Sequence, residues 1–404
     1  MVKITIVKII FGLAYMTEAS SECDLQSKLP EVGTTIFSIM SALATEHNAV
    51  NLGQGFPDFN CDPALIDAVA AAMHAGQNQY APMPGAEILR HAIAQKISSL
   101  YGHHYDPSTE ITVTAGATQA IFTAILASVH AGDEVIVIEP AYDSYVPAIS
   151  LAGGVPVFFS MELTAQGFKI PWDKIEQAIT AKTRLIMLNS PHNPTGFIFT
   201  SKDIAALTNL VRDTGILIVS DEVYEHMVFD DQVHESISRY QELAQRSFVI
   251  SSFGKTYHVT GWKVGYVAAP KYLMMEFRKV HQFNVFTVNT PMQVGLANFM
   301  MQNSSHMELA NFYQHKRNLF RAGLLASGFS LLPAQGTYFQ CVNYSTISSQ
   351  SEMEFAQWLT KNVGVAAIPL SAFYHKPVES NIVRFCFAKR DETLQLAIKK
   401  LHVL

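Results

Sequence analysis

Short, continuously apolar runs rich in β-branched residues alternate with longer helical stretches from about residue 60 to residue 295. Runs such as Val135–Ile138, where all four residues are Val or Ile, are typical of strands buried on both faces. The candidate strands are Ile111–Thr114, Val135–Ile138, Val155–Phe158, Leu185–Leu188, Ile216–Ser220, Phe248–Ser251 and Val264–Val267. Their alternation with helices predicts an α/β fold with a mostly parallel sheet covered by helices.

Helical periodicity fills the intervals between these runs. The clearest helical stretches are Pro63–Ala75, Ala117–His130 and Ser201–Thr214. Ligands of open α/β sheets bind beyond the carboxyl ends of the strands. Candidate chemistry is therefore expected in the segments that directly follow the predicted strands.

The pattern changes near Asn298. Helical stretches around 305–327 and 351–362 are interleaved with strand-like runs at 336–344 and 382–388. This pattern predicts a smaller α+β domain, which the helical stretch 37–47 joins because no linker isolates it. The expected organisation is an N-terminal extension over 1–28, a large domain over 59–295, and a small domain formed by 29–58 and 296–404.

Composition narrows the class of protein. Of 404 residues, 49% are hydrophobic and 15% are charged, which excludes a disordered chain. The net charge of −6 and the lack of a basic stripe argue against a nucleic-acid partner. The cysteines, at 23, 61, 341 and 386, form no CxxC pair, so we expect neither a disulfide framework nor a bound metal, and a reducing, cytoplasmic location.

The first residues allow two interpretations. Lys3 and Lys8 flank an apolar run over 4–15 that has some features of a secretory signal. The interpretation that we favour is a start codon assigned too early, with Met16 as the true start. No segment approaches 18 uninterrupted apolar residues, so no membrane span is predicted.

The sharpest chemical feature is the segment 251–263, SSFGKTYHVTGWK, which follows a predicted buried strand. Partial desolvation of Lys255 there would lower its pKa towards neutrality. A neutral lysine amine can form a Schiff base with an aldehyde. Ser252 and Lys263 could hold an anion beside it. The alternative is a surface loop with ordinary solvated lysines.

Two further strand ends bring polar groups to the same edge. Asn193 lies in the turn sequence 189–196, NSPHNPTG, from which its amide could point at a ligand, although such a sequence is often only a loop. Asp221 ends another strand and could pair with a ligand cation or cap a helix. Tyr224 could offer its phenol to the same ligand.

Three weaker signals complete the set. Ala117 and Thr118 begin a helix after a small-residue turn, which suits either a phosphate or an ordinary βα connection. Tyr142 could stack on a flat ring or belong to the core. Arg384 lies in an apolar strand, where a guanidinium suits a substrate carboxylate or a structural salt bridge.

The conjunction of these features is more specific than any one of them. A Schiff-base lysine, a phosphate cradle, a carboxylate for a ring nitrogen and a stacking aromatic together match the needs of pyridoxal 5′-phosphate. The chain from about residue 29 to 404 resembles the class I/II aminotransferases of fold type I. The likeness is strongest to the methionine and kynurenine aminotransferase branch, through 51–59, 78–85 and 251–266.

The resemblance implies a large domain with a mostly parallel seven-stranded sheet, a smaller α+β domain, and specific residue roles. Lys255 binds the cofactor and then carries the proton. Asp221 pairs with the pyridinium nitrogen, Tyr224 and Asn193 bind the phenolic oxygen, and Tyr142 stacks on the ring. The phosphate ligands implied are Ala117, Thr118, Ser252, Lys263 and, from the neighbouring subunit of a homodimer, Tyr80.

The resemblance also implies the substrate contacts and the reaction. Arg384, with Asn193, binds the α-carboxylate and Gly55 lines the same site. The amino group of an L-amino acid passes to a 2-oxo acid by a ping-pong mechanism. We find no second arginine near 285–290, and Phe286 with Ile36–Phe37 is expected to form an apolar pocket, which favours methionine, then aromatic amino acids or kynurenine.

Two other functions use the same features. A cysteine-S-conjugate β-lyase would deprotonate the same Cα atom and eliminate a β leaving group. A non-catalytic regulator that senses the cofactor needs a DNA-binding domain. Only about 30 residues precede the region of resemblance, without a basic helical pair, so a regulator is not expected.

Overall fold

The computed structural model describes residues 26–376 and 378–404. The expectations for the N-terminal apolar run, and for Cys23, lie outside the described residues.

Fifteen strands follow one another along the described chain. They are β1 (Val50–Asn51), β2 (Ile111–Thr114), β3 (Glu134–Glu139), β4 (Val155–Ser160), β5 (Glu162–Thr164), β6 (Gly167–Lys169), β7 (Thr183–Asn189), β8 (Leu217–Asp221), β9 (Ser247–Ser252), β10 (Gly265–Ala268), β11 (Ser330–Leu331), β12 (Phe339–Asn343), β13 (Val365–Ala366), β14 (Ile368–Pro369) and β15 (Ile382–Cys386).

The α-helices lie before, between and after these strands. They are α1 (Ile36–Glu46), α2 (Pro63–His74), α3 (Glu87–Tyr101), α4 (Ala117–Ser128), α5 (Tyr145–Leu151), α6 (Trp172–Gln177), α7 (Ser201–Val211), α8 (Gln241–Ala244), α9 (Phe253–Thr256), α10 (Lys271–Asn284), α11 (Thr290–Gln302), α12 (Leu309–Leu324), α13 (Glu352–Trp358) and α14 (Asp391–Leu401).

A seven-stranded sheet dominates the described chain, with the strand order β2-β10-β9-β8-β7-β3-β4. β10 runs antiparallel to both of its neighbours, and the other pairings are parallel. All seven strands predicted from the apolar runs occur in this sheet, with bounds that differ by no more than two residues. The prediction of a mostly parallel, helix-covered sheet is therefore confirmed.

Burial follows the position of each strand in the sheet. The central strands β7, β8 and β9 are buried almost throughout, as continuous apolar runs predict. β4 is an edge strand and is largely half-exposed, with Val155 at 49% exposure. Edge strands have only one neighbour, so a continuous apolar run does not by itself guarantee burial on both faces.

Local capping sets where the helices begin. Asp62 accepts a hydrogen bond from the Ala64 N–H, and Pro63 occupies the first turn of α2. Thr200 and Asp203 form a reciprocal capping box at the start of α7. α4 instead follows Gly116, whose φ of +81° suits glycine.

A second, antiparallel sheet has the strand order β11-β12-β15-β14, and β1 pairs in parallel with β13. The strands predicted at 336–344 and 382–388 correspond to β12 and β15. The predicted boundary between 295 and 296 falls inside α11, which packs on α2 and α3. The division into two domains stays a prediction.

No helix in the described ranges is both long enough and apolar enough to cross a membrane.

Candidate active site

The carboxyl ends of β3, β7, β8 and β9 open into one cavity of about 250 Å³, which β15 and the segment 53–56 complete. The cavity brings together eleven of the twelve site residues expected from the sequence. These are Gly55, Ala117, Thr118, Tyr142, Asn193, Asp221, Tyr224, Ser252, Lys255, Lys263 and Arg384.

Lys255 lies in the single turn α9 that directly follows β9. The Ser252 hydroxyl accepts a hydrogen bond of 3.1 Å from the Gly254 N–H and so starts that turn. Lys255 Nζ donates to the Tyr338 hydroxyl at 2.9 Å and to the Gly55 carbonyl at 3.2 Å. Burial lowers the pKa of Lys255 to about 8, although the nearby Asp221 opposes this. A solvated surface loop does not describe this lysine.

Asp221 is the last residue of β8, and only 4% of it is exposed. The Tyr145 hydroxyl donates to Asp221 Oδ2 at 2.6 Å, and the Val223 N–H donates to Oδ1 at 3.3 Å. Burial raises the pKa of this carboxyl to about 6, while the Tyr145 hydrogen bond works in the opposite direction. A turn follows rather than a helix, so Asp221 is not a helix cap.

Hydrogen bonds of the turn after β7 connect Asp221 with Arg384. Asn189 donates from Nδ2 to the Asp221 carbonyl at 2.8 Å and accepts from the Asn193 N–H at 2.8 Å. Asn193 Oδ1 in turn accepts from Arg384 Nη1 at 2.7 Å. The turn therefore holds Asn193 at the cavity wall between the carboxylate and the guanidinium.

Arg384 is 1% exposed in the middle of β15. Nη2 donates to the Gly53 carbonyl at 3.1 Å, and Nε has no hydrogen-bond partner in the described chain. The guanidinium lies 3.9 Å from the ring centroid of Phe339 and 5.0 Å from that of Phe373. A buried cation with neutral partners and a free N–H calls for an anion.

A structural salt bridge was the alternative for Arg384. Its hydrogen bonds go to an amide oxygen and a backbone carbonyl, and it forms no ion pair with a carboxylate within residues 26–376 and 378–404. The alternative is therefore wrong for the described part of the chain.

The part of the cavity at the start of α4 carries positive charge, from the helix N-terminus and from Lys263. No side chain caps the first turn of α4, so the N–H groups at Ala117 and Thr118 have no side-chain acceptor there. A Cβ atom added to Gly116 would lie 3.4 Å from Lys263 Nζ, which shows how closely this ammonium approaches the helix start. Together with Ser252, these groups form a site for a phosphate.

Two tyrosines, Tyr142 and Tyr224, also line the cavity. Tyr142 contacts Tyr145 edge-to-face at 5.8 Å between ring centroids. Tyr224 is buried and packs edge-to-face on Tyr338 at 5.1 Å. Burial raises the pKa of both Tyr142 and Tyr224, so both phenols are protonated near neutral pH.

Tyr80 is the site residue that the cavity does not include. It is 81% exposed and contacts Phe286 edge-to-face at 5.3 Å between ring centroids. Phe286 also lies outside the cavity of its own chain, and Ile36 packs against the core instead. Of the three residues expected to form the apolar pocket, Phe37 lines the cavity within one chain and Ile36 and Phe286 do not, so the apolar pocket stays a prediction.

Several residues that shape the site could not be predicted from the sequence. Asn189 lies within the turn sequence 189–196 and Tyr145 lies three residues after Tyr142, but the sequence does not predict their hydrogen-bond partners. Tyr338 and Phe339 gave no signal, because aromatic residues in a strand usually belong to a core. Their role in holding Lys255 and Arg384 depends on how β12 and β15 pair.

Comparison with known proteins agrees with this geometry. The family model for aminotransferase class I and II matches residues 47–401. The methionine aminotransferase of Escherichia coli is 48% identical, over 94% of this chain and 98% of the relative. Human kynurenine–oxoglutarate transaminase 1 is 35% identical, over 89% and 93% of the two chains.

Solved structures give the same family. YbdL from E. coli, described as having a methionine aminotransferase function, superposes with a TM-score of 0.92 at 47% identity, over 94% of this chain and 99% of that one. The N-succinyldiaminopimelate aminotransferase of Mycobacterium tuberculosis superposes with a TM-score of 0.90 at 40% identity, with the same coverage. The lysine-bearing cavity, the fold and these matches agree, and the chain belongs to the class I and II aminotransferases.

Proposed function

We propose that this enzyme takes the α-amino group from a monocarboxylic L-amino acid with a neutral side chain and passes it to a 2-oxo acid. Methionine is the favoured donor, followed by aromatic amino acids and kynurenine. The observation that carries the proposal is the set of charged groups in the cavity. Only Asp221, Lys255, Lys263 and Arg384 are charged among its described lining residues.

All four of these charges have a role in binding the cofactor or the substrate α-carboxylate. No lining cation within the described residues is left for a second carboxylate, which disfavours dicarboxylic donors. Phe37, Phe56 and Phe339 supply an apolar wall instead. A polarisable thioether packs well against aromatic rings. The names of the relatives, a methionine aminotransferase and a kynurenine transaminase, support the same order of donors.

We propose pyridoxal 5′-phosphate as the cofactor, because the family implies it and the residues present fit it. When bound, it supplies an aldehyde for the amino group and a ring that withdraws electrons. The open N–H groups of Ala117 and Thr118, with Ser252 and Lys263, would hold the phosphate. A lysine at 263 provides charge without the two-pronged geometry of an arginine.

The other end of the cavity would hold the ring. The buried carboxylate of Asp221 would keep a ring nitrogen protonated by pairing with it. Tyr224 and Asn193 would donate to the phenolic oxygen, and Tyr142 would cover one face of the ring. Tyr145 holds the Asp221 carboxylate in place through its 2.6 Å hydrogen bond.

Lys255 would move the proton. With a pKa of about 8, Lys255 Nζ is partly neutral near physiological pH and can accept the proton from the substrate Cα atom. Arg384 and Asn193 would bind the α-carboxylate of the substrate. This would hold the Cα–H bond in a fixed orientation relative to Lys255. Gly55 leaves room for this approach, since a Cβ atom there would lie 3.1 Å from the Phe339 ring.

The visible spectrum of the purified protein tests the proposal. Adding methionine without an acceptor is expected to shift the absorption band of the bound cofactor, and a 2-oxo acid is expected to restore it. Phenylalanine, kynurenine and glutamate rank the donors, with glutamate last. A band that no amino acid changes contradicts the substrate assignment, and the lack of any band after adding the cofactor contradicts the enzyme assignment.

The β-lyase alternative has its own readout. The same proton transfer at Cα would release pyruvate from a cysteine S-conjugate without any 2-oxo acid. Pyruvate formation faster than methionine transamination would make elimination the main activity.

We also propose a homodimer in which Tyr80 reaches the cofactor phosphate of the neighbouring subunit. Tyr80 and Phe286 support this, because they form an exposed aromatic pair outside the cavity of their own chain. The measurement is the mass in solution by light scattering, and a monomer at working concentrations contradicts it.

The cellular location and the domain division remain proposals of the same kind. Free thiols at Cys61, Cys341 and Cys386 support a reducing, cytoplasmic compartment, which cell fractionation tests. The separate antiparallel sheet supports a small domain from 29–58 and 296–404 beside a large domain over 59–295. Limited proteolysis tests that division.

A further inference from the structure

The backbone segment 53–56 has an unusual set of hydrogen-bond partners. Its four carbonyl groups all accept hydrogen bonds from buried or half-buried side chains. Arg384 Nη2 donates to the Gly53 carbonyl at 3.1 Å, and Lys255 Nζ donates to the Gly55 carbonyl at 3.2 Å. Lys389 Nζ donates to the carbonyls of Phe56 at 2.7 Å and Gln54 at 3.4 Å.

These bonds alternate between two sides of the segment. The donors to the Gly53 and Gly55 carbonyls line the cavity, and the donor to the Gln54 and Phe56 carbonyls does not. The carbonyls of Gly53 and Gly55 therefore face the cavity, where Arg384 and Lys255 lie, and those of Gln54 and Phe56 face the rear. Within the described residues, Lys389 is the hydrogen-bond donor to both rear carbonyls.

Lys389 is an unexpected residue for this position. It is 4% exposed and does not line the cavity. Its side chain donates hydrogen bonds only to backbone carbonyls, and it forms no salt bridge with a carboxylate, within the part of the chain that the structure describes. Burying an ammonium with only neutral partners costs free energy, so stability alone is a poor reason for a lysine there.

We propose that Lys389 is a positioning residue for transamination. By holding the Gln54 and Phe56 carbonyls from the rear, it turns the Gly53 and Gly55 carbonyls towards the substrate-binding Arg384 and the proton-carrying Lys255. One cation outside the cavity thus helps to position two cations inside it, together with Tyr338, which bonds Lys255 and the Gly55 carbonyl, and Asn193, which bonds Arg384. The proposal rests on the function proposed above and extends it.

Three variants test the proposal. Lys389→Met keeps the length and apolar stem of the side chain but removes the donor. Lys389→Gln keeps a neutral amide donor on a shorter side chain. Lys316→Met is the matched control, because Lys316 is also buried, at 6% exposure, but donates to Asp391 at 2.9 Å and not to the segment 53–56.

The first readout is steady-state kinetics with methionine. Misplacement of reacting groups by a fraction of an ångström lowers turnover strongly, so Lys389→Met is expected to lose about tenfold or more in kcat/KM. The loss should include kcat, since Lys255 is affected together with Arg384. Lys316→Met should keep wild-type kinetics even where its thermal stability falls.

The second readout does not depend on the substrate assignment. Acetylation of Lys255 over a pH series, followed by mass spectrometry on the cofactor-free protein, reports the pKa of its amine. Loss of the Gly55 acceptor is expected to move that midpoint down in Lys389→Met and leave it unchanged in Lys316→Met. A wild-type enzyme that fails to transaminate methionine contradicts the proposed function but leaves this arm informative.

Two results overturn the proposal. One is a Lys389→Met protein with wild-type kcat/KM and a wild-type acetylation midpoint. The other is an equal change of both quantities in Lys316→Met, which makes the effect a general one of losing a buried lysine. Should the Met variant not fold, both readouts are taken on Lys389→Gln. Its neutral donor on a shorter side chain should lower kcat/KM and the acetylation midpoint less than Met would, but measurably, and wild-type values of both overturn the proposal.

Discussion

At the scale of single residues, burial has opposite effects on the two titrating groups of the site. It lowers the pKa of Lys255 to about 8 and raises that of Asp221 to about 6. In both cases the charged form is the one that burial disfavours. Both shifts bring the groups closer to neutral pH, where a lysine can act as a base and a carboxylate can still pair with a cation.

Replacing Lys255 with alanine is expected to abolish transamination and leave the fold intact. A general base contributes about 10²–10⁴-fold to a rate, and here the same amine would also bind the cofactor. The measurement is single-turnover spectroscopy with methionine, alongside thermal unfolding. Lys271→Ala, at an exposed position of α10, is the control and should keep full activity. Wild-type turnover in Lys255→Ala contradicts the role given to this lysine.

Asp221 is expected to destabilise the cofactor-free protein. The carboxyl pKa is about 6 in the folded state against 3.8 for the unperturbed group, so the folded state binds more protons between these values. Stability from this group therefore falls as pH rises from about 4 to about 6 and stays lower above that. Asp221→Asn removes the penalty and still accepts the hydrogen bond from Tyr145.

At pH 8, cofactor-free Asp221→Asn is expected to unfold at a higher temperature than wild type. Its free energy of unfolding should be larger by up to ~3 kcal/mol. At pH 4 the two proteins should differ little. Transamination should fall strongly, because a neutral amide cannot keep the ring nitrogen protonated. Equal stability of the two proteins at both pH values contradicts the raised pKa.

At the scale of elements, the site depends on where strands end and helices begin. The first turn of α4 has no side-chain cap, and this is possible because Gly116 adopts a φ of +81°. The turn is thereby left with unsatisfied N–H groups beside Lys263. An ordinary capped helix would fill the same place with its own side chain.

Gly116→Ala is expected to weaken cofactor binding as well as stability. A backbone at φ +81° and ψ 170° costs a non-glycine residue about 1–3 kcal/mol, and the new Cβ atom would lie 3.4 Å from Lys263 Nζ. Gly76→Ala is the matched control, because Gly76 has a φ of +80° with no atom within 4 Å of an added Cβ. Cofactor titration and thermal unfolding separate the two effects. Equal cofactor affinity in both variants contradicts a phosphate site at this helix start.

At the scale of the whole molecule, one described chain brings together eleven of the twelve site residues expected from the sequence. Tyr80 is the exception, and it forms an exposed pair with Phe286. A homodimer would bring this pair to the cavity of the other subunit, and each site would then need two chains.

Mixing two inactive variants tests this arrangement. Tyr80→Ala is expected to bind the cofactor weakly, and Lys255→Ala is expected to be inactive. In a mixed dimer, the site that contains an intact Lys255 receives Tyr80 from the other chain. After unfolding and refolding an equimolar mixture, about a quarter of the sites should be complete. No gain of activity over the separate variants contradicts the shared site.

How far the sequence reaches can be judged from particular residues. Val135–Ile138 and its six counterparts identified every strand of the main sheet. Continuous apolar runs are typical of buried parallel strands, although the edge strand β4 is half-exposed. The motifs at the ends of those strands identified Lys255, Asp221 and Asn193. The chain order and the rule that ligands bind at carboxyl ends were enough to expect these groups at one edge.

The sequence by itself therefore determined the fold class and the family. Only the tertiary structure decided which oxygen atoms face which cations. Tyr338 hydrogen-bonds Lys255, which lies more than 80 residues away along the chain. Lys389 hydrogen-bonds the segment 53–56, which lies more than 330 residues away. Local patterns carry no record of such pairings, because strand register and the close approach of distant backbone segments set them.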